Sequence, residues 1–180
     1  MNTENPVVVF RVATQADALC LGVLATQVFL DTYAFTGITE EIANKVKHDL
    51  SAEIFAELLA NSSTSITVAV HETALVGFAQ TTLGTEQALA PGGKPAELDR
   101  LYVQEPFTKH GIGSTLLASH ETQAARNGAA VLWLSTWVGN KRARHFYPKH
   151  GYQDYGLVSF NMGQYKIENR VFAKILRIAA

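Results

Sequence analysis

The stretch that most constrains this chain runs from Glu97 to Trp137. Glu97 to Val103 reads as a strand. Pro106 to Gly113 reads as a glycine-containing loop, and residues 114–126 read as a helix that Gly128 closes as a C-terminal cap. Val131 to Trp137 is an apolar run without alternation, the pattern of a strand buried on both faces. A strand, a loop, a helix and a second strand in that order form a parallel crossover unit. A parallel pair needs helical cover, so the chain must be built around an α/β sheet.

The flanks supply antiparallel partners. Val7 to Arg11 is a short β-branched strand, and Thr14 with Asp17 is spaced as a capping box at a helix start. Leu19, Cys20, Val23, Leu24, Val28 and Leu30 then recur at helical spacing and predict the buried side of that helix. Ile42, Val46, Leu50, Ile54 and Leu58 predict one continuous second helix over residues 39–59. Ser65–Val70 and Ala74–Leu83 are strands at hairpin spacing, followed by a loop from Gly84 to Pro95. A short helix begins at Asn140 and stops near Tyr147-Pro148; strands over 152–160 and 165–176 complete the chain. The expected order is β-α-α-β-β-β-α-β-α-β-β, a mixed sheet with helices on both faces.

Composition excludes several classes. The 180 residues, 19.6 kDa, suit a single domain over 1–180, and 47% hydrophobic with 17% charged residues argues against disorder. Fifteen Lys and Arg against sixteen Asp and Glu leave a net charge of −1, a poor basis for nucleic-acid binding. The lone Cys20 permits no internal disulfide and no thiolate cluster; its place on the first helix reads as a small buried hydrophobe. The six His lack ligand spacing, so no metal is expected. No apolar run reaches the roughly 18 to 20 residues of a membrane helix, and Met1 to Pro6 is unlike a signal peptide. The expectation is a cytoplasmic protein.

Two segments carry chemistry. In Thr108-Lys109-His110-Gly111-Ile112-Gly113, glycines and a helix start follow a strand. Backbone N–H groups and the helix dipole there suit an anion such as a pyrophosphate. The spacing fits neither a Walker loop nor G-x-G-x-x-G. Downstream, Asn140, Ala143 and Tyr147 share one helix face, with a small residue between an amide and a phenol.

Together, the strand Glu97-Leu98-Asp99-Arg100-Leu101-Tyr102-Val103, the loop ending Gly111-Ile112-Gly113, and Asn140…Ala143…Phe146-Tyr147…Gly151-Tyr152 resemble the Gcn5-related N-acetyltransferase (GNAT) superfamily. The resemblance covers about residues 7–176 and is strongest from Glu97 to Tyr152. Leu132 to Trp137, with Phe160 and Gly163, is most similar to the bacterial spermidine/spermine acetyltransferase subgroup. The resemblance implies the GNAT fold, a twisted mixed sheet whose central parallel strands splay apart to admit acetyl-CoA. It implies that Leu101, Tyr102 and Val103 pair with the pantetheine. Thr108, Lys109, His110, Gly111, Ile112, Gly113 and Ser114 would cradle the pyrophosphate. Asn140 and Ala143 would flank the arm, and Tyr147 would stand near the sulfur. Thr108 stands where the family usually has Gln or Arg, and Pro148 removes a backbone donor beside Tyr147.

Acetyl transfer to an amine needs a base, an acid and oxyanion donors. The resemblance and the alternation of the strand make Glu97 the expected base with Asp99 beside it, and Tyr147 the expected acid. The expected reaction is direct attack by a primary amine of a small molecule, polyamine-like, in a ternary complex. A protein or peptide acceptor on the same scaffold, and a non-catalytic acyl-CoA sensor, are the alternatives. No nucleic acid and no membrane is expected as a partner, and the chain is expected as a monomer or homodimer.

Overall fold

The computed structural model of the chain describes residues 6–34, 36–162 and 165–177. Its elements are β1 (Val8–Val12), α1 (Ala18–Tyr33), α2 (Glu40–Asp49), α3 (Ala52–Ala60), β2 (Thr64–His71), β3 (Ala74–Leu83), β4 (Pro95–Val103), α4 (Ile112–Arg126), β5 (Val131–Trp137), α5 (Lys141–Lys149), β6 (Gln153–Met162) and β7 (Tyr165–Ile175). Seven strands form one mixed sheet in the order β1-β2-β3-β4-β5-β7-β6. β1 and β2 are antiparallel, β4 and β5 are parallel, and β7 runs antiparallel to both β5 and β6. The crossover expected from the 97–137 stretch is therefore present. Two compact units make up the chain, residues 1–80 with 100–118, and residues 81–99 with 119–180.

In the first unit the Thr14–Asp17 capping box forms as the spacing predicts. Asp17 Oδ2 accepts from Thr14 N at 2.7 Å, and both its oxygens take the Arg11 guanidinium at 2.7 and 2.8 Å. These donors hold its carboxyl down at about 2.

α1 turns inward a face that matches the expected one only in part: Leu24 is buried, and Val28 and Leu30 pack against the core. It buries Ala18, Leu21, Gly22, Leu24, Ala25 and Phe29, while Leu19, Val23 and Cys20 are exposed. The reason is close approach. A Cβ at Gly22 would lie 2.9 Å from the Leu50 carbonyl oxygen, so the small residues face the neighbouring backbone. Cys20 is thus not a core residue.

The predicted 39–59 helix is two helices. Leu50 ends α2, and Ser51, in extended backbone, caps α3 by accepting from Ile54 N. The break shifts the buried stripe by one residue, so that Phe55 and not Ile54 is fully buried. α5 ends at Lys149, one residue past Pro148, close to the end the sequence predicts. In this unit Phe55, Phe78, Val68 and Leu21 are core, with Phe55 and Phe78 edge to face at 5.6 Å.

In the second unit, His120 of α4 is fully buried; its Nδ1 lies 2.7 Å from Thr81 Oγ1. Its Nε2 has no hydrogen-bond partner among the described residues. Burial pushes its pKa down to about 4. Because the unfolded chain takes up this proton first, the contribution to stability is complete above pH 6.5 and declines as pH falls toward 4. Denaturant titrations should show the wild type losing up to about 3 kcal/mol more than His120→Leu over that window. Parallel pH profiles would show that His120 charges as readily in the folded state.

Candidate active site

β4 carries the expected carboxylates on one face. Ala96 and Leu98 point into the core, Glu97 is half-buried and Asp99 is exposed, accepting from Thr82 Oγ1 at 2.8 Å. Glu97 and Asp99 are thus brought to one side, as the alternation predicts. The β4–β5 register runs from Pro95↔Val131 through Ala96↔Leu132 to Glu97↔Trp133, whereas β5 pairs with β7 along its whole length, Val131↔Ile175 to Trp137↔Asn169. The carboxylates therefore stand where the parallel ladder ends.

Farther along, β4 is anchored within the first unit. Arg100 donates to Gln80 Oε1 at 2.5 Å and to the Asp49 carbonyl at 3.2 Å, with its guanidinium 5.5 Å from the Phe55 ring centroid. The Tyr102 ring packs edge-on to Phe78 at 5.5 Å, and burial raises its phenol pKa. Its side chain therefore belongs to the core. Leu101 and Val103 are half-buried.

After a single turn at Glu105–Phe107, both the backbone N–H and the hydroxyl of Thr108 donate to the Glu105 carbonyl, at 3.1 and 2.8 Å. The hydroxyl proton of Thr108, one of the residues expected to cradle the pyrophosphate, is thus engaged locally. Lys109 (φ 67°) and Gly111 (φ 80°) both adopt left-handed backbone. A non-glycine residue held there costs on the order of 1 kcal/mol, a strain common at ligand loops. Lys109, His110 and Gly111 are exposed, a Cβ at Gly111 would meet nothing within 4 Å, and buried Ile112 anchors the start of α4. Thr115 N donates to the Gly111 carbonyl at 3.0 Å, which opens the helix at Gly111 with Gly113 and Ser114 in its first turn. An open, cation-bearing loop over a helix N-terminus fits a phosphate group.

In the second unit Asn140 caps α5, its Oδ1 accepting from Ala143 N at 3.0 Å. The cap occupies the oxygen; the amide nitrogen has no partner among the described residues. At Gly139 a Cβ would meet the outer edge of the Trp137 indole, so a larger residue there would require the ring to move. Tyr147, 7% exposed, lies edge-on to Tyr152 at 5.6 Å and tilted against Phe172 at 6.2 Å. Behind it, Glu121 is paired with Lys174 at 2.7 Å, and Lys174 Nζ stands 5.7 Å from the Tyr152 ring. Burial, then the Glu121 carboxylate, drives the Tyr152 phenol far above its ordinary range. Sequence reasoning missed this array, because an ion pair between α4 and β7 leaves no spacing signature.

The register separates the acid and base candidates. Glu97 stands beside Trp133, while Phe172, which touches Tyr147, is paired with Leu134 on the opposite face. Glu97 and Tyr147 therefore approach these strands from opposite sides.

Residues 32–152 match the model of the acetyltransferase (GNAT) family. The chain belongs to the GNAT acetyltransferases. An uncharacterized N-acetyltransferase of Mycobacterium tuberculosis is 31% identical over 139 residues, 76% of this chain and 83% of the relative. Among solved structures, the PaiA N-acetyltransferase of Thermoplasma acidophilum in complex with coenzyme A is similar with a TM-score of 0.70 at 22% identity, covering 91% of this chain and 98% of that one. The ribosomal-protein-alanine N-acetyltransferase of Brucella melitensis is similar with a TM-score of 0.69 at 22% identity, covering 93% and 99%. The GNAT fold and an acetyl-CoA-dependent acetyltransferase activity follow. Gly163, part of the subgroup resemblance, lies outside the described residues. No helix among the described residues is long and apolar enough to cross a membrane.

The Asn140 cap is separable from any role of its amide nitrogen. Asn140→Ala should lower stability by about 1 kcal/mol, whereas Asn140→Asp, which keeps the accepting oxygen at a helix N-terminus, should match the wild type. Equal stability of all three in urea titrations would show that the cap contributes nothing.

Proposed function

We propose that this GNAT enzyme transfers the acetyl group of acetyl-CoA to a primary amine of a small, polyamine-like molecule by direct attack in a ternary complex. The observation that carries the reading is the pair Glu97 and Asp99 on one face of β4, at the end of the β4–β5 ladder, with Tyr147 on the other face of the neighbouring strands.

The loop from Thr108 to Ser114 would hold the pyrophosphate by its backbone N–H groups, with Lys109 and His110 adding donors at its exposed rim. Thr108 would serve by shaping the turn, given its bonds to Glu105. Leu101, Tyr102 and Val103 would offer backbone groups to the pantetheine, and the Asn140 amide nitrogen would donate to its arm past Ala143. Acetyl-CoA supplies an activated acyl carbon.

Glu97 takes the proton of the incoming ammonium, whose ordinary pKa is near that of lysine, about 10.4. Asp99 adds negative charge that favours a cationic acceptor. As the C–N bond forms and the C–S bond breaks, Tyr147 donates its phenol proton to the sulfur, which leaves as the thiol, and the second proton shed by the acylated nitrogen returns through solvent to the Tyr147 oxygen. Base and acid on opposite faces let the amine arrive on one side while the thiol departs on the other. Exposed Cys20 lies on α1, outside this set, so a covalent acetyl-cysteine route has no support.

The acceptor class is tested by thiol release with acetyl-CoA and a panel of amines, including spermidine and a lysine-containing peptide, at low and high salt. Spermidine should be acetylated faster than the peptide, with KM rising as salt screens Glu97 and Asp99. Faster turnover of the peptide would replace this reading by the protein-acetylating one.

Tyr147→Phe should keep acetyl-CoA affinity and lose about 10²- to 10⁴-fold in kcat, because the ring still packs and only the proton donor is removed. Turnover within about twofold of wild type would assign Tyr147 to packing alone.

A further inference from the structure

The segment between β3 and β4, residues 84–94, is a strap laid across the face that carries Glu97. Its base is closed by Gly84 N donating to the Pro95 carbonyl at 2.9 Å, and by Ala130 N donating to the Lys94 carbonyl at 2.8 Å. Near its start the Trp133 indole N–H donates to the Thr85 carbonyl at 2.7 Å; Trp133 is only 5% exposed. Ala90 packs against Val131, Trp133 and Ala173. At the far end Leu89 reaches Gly156, where a Cβ would lie 3.7 Å from the leucine methyl. Gly156 sits at the register shift of β6 with φ 118°, so the bulge that seats the strap tip requires glycine.

Trp133 is the residue in register with Glu97, and paired residues on neighbouring strands share a face. The strap therefore roofs the position next to the Glu97 carboxylate. The next positions along that face are open: Asp99 and Ser135 are exposed. The Asp99–Ser135 side is therefore the open approach to Glu97 along this face, under the rim of the strap.

We propose that the 84–94 strap, fastened by Trp133, makes this enzyme selective for primary amines on an unbranched carbon and excludes amines whose carrier carbon is branched. The inference rests on Glu97 being the base, as argued under the proposed function. A polyamine end, –CH2–NH3⁺, is narrow enough to pass the rim. An α-amino group on a peptide N-terminus carries a side chain and a carbonyl on the same carbon and meets the roof.

Two diamines of equal charge isolate this effect, 1,4-diaminobutane and 2,5-diaminohexane, which adds one methyl at each amine-bearing carbon. The wild type should prefer the unbranched diamine by at least about tenfold in kcat/KM, the scale of one methyl group in a shaped pocket. Trp133→Phe removes the N–H and leaves a smaller aromatic ring in its place; the preference should shrink toward unity, and hydrogen exchange of the 84–94 amides should accelerate. Leu89→Ser, at the half-exposed strap tip and away from the core, should shift both readings in the same direction. Equal kcat/KM of the wild type for both diamines would overturn the proposal alone. So would a preference that survives in both variants while the strap amides exchange freely. Acetylation of a peptide with no turnover of either diamine would instead overturn the proposed function, and this inference with it.

Discussion

Two parallel strands that start as neighbours and stop pairing after Glu97↔Trp133 create an obligation, because backbone donors and acceptors along a sheet must find partners. β5 continues to Trp137 and meets it on one side by pairing with β7 at every residue. β4 continues to Val103, fastened by Arg100 to Gln80 and to the Asp49 carbonyl and by the Tyr102 ring against Phe78. The early end of the ladder is thus built by contacts elsewhere. Each proposed role depends on it. An extended acyl carrier needs a strand edge to pair with, and a reacting carbonyl must be reachable from both faces.

Tyr147 sits in a less secure element than β4. Pro148 deprives α5 of a backbone donor immediately after it, and the helix has nine residues. Its place is fixed from outside. Gly151, in left-handed backbone at φ 83°, turns the chain so that Tyr152 N donates to the Tyr147 carbonyl at 3.2 Å and the Tyr152 ring meets Tyr147. Tyr152 in turn lies beneath Lys174, which Glu121 holds. A buried phenol next to a carboxylate stays protonated, so Tyr152 places no phenolate beside the proposed acid.

How much of this was legible in the sequence follows from the range of the interactions. β3 and β5 were readable to the residue because a buried strand bounded by turns is a local signal. The Thr14–Asp17 box was readable because its partners are three residues apart. The break at Leu50-Ser51 was not, because Ile42, Val46, Leu50, Ile54 and Leu58 keep a four-residue stride across it. The inward face of α1 was partly misassigned because the helix is apolar almost all round. The choice of Gly22 and Ala25 over Val23 was made by a backbone 28 residues away. At the candidate site, the placement of Glu97 and Asp99 on one face of β4, and of Asn140 at the start of α5 with Tyr147 in it, was legible from local spacing. The capping bond of Asn140, the engagement of the Thr108 hydroxyl and the Trp133–Thr85 bond were not, since each depends on where a single carbonyl or N–H ends up.

The central claim is that the glycine loop at the start of α4 receives the pyrophosphate of acetyl-CoA. Calorimetric titration of coenzyme A into the folded wild type and a folded Gly113→Trp variant tests it most directly, because neither turnover nor the acceptor enters the measurement. A bulky side chain in the first turn of α4 should block close approach to the backbone N–H groups and weaken affinity by at least about 100-fold, on the order of 3 kcal/mol. Equal affinity of the two proteins would contradict the account, because the pyrophosphate would then lie elsewhere.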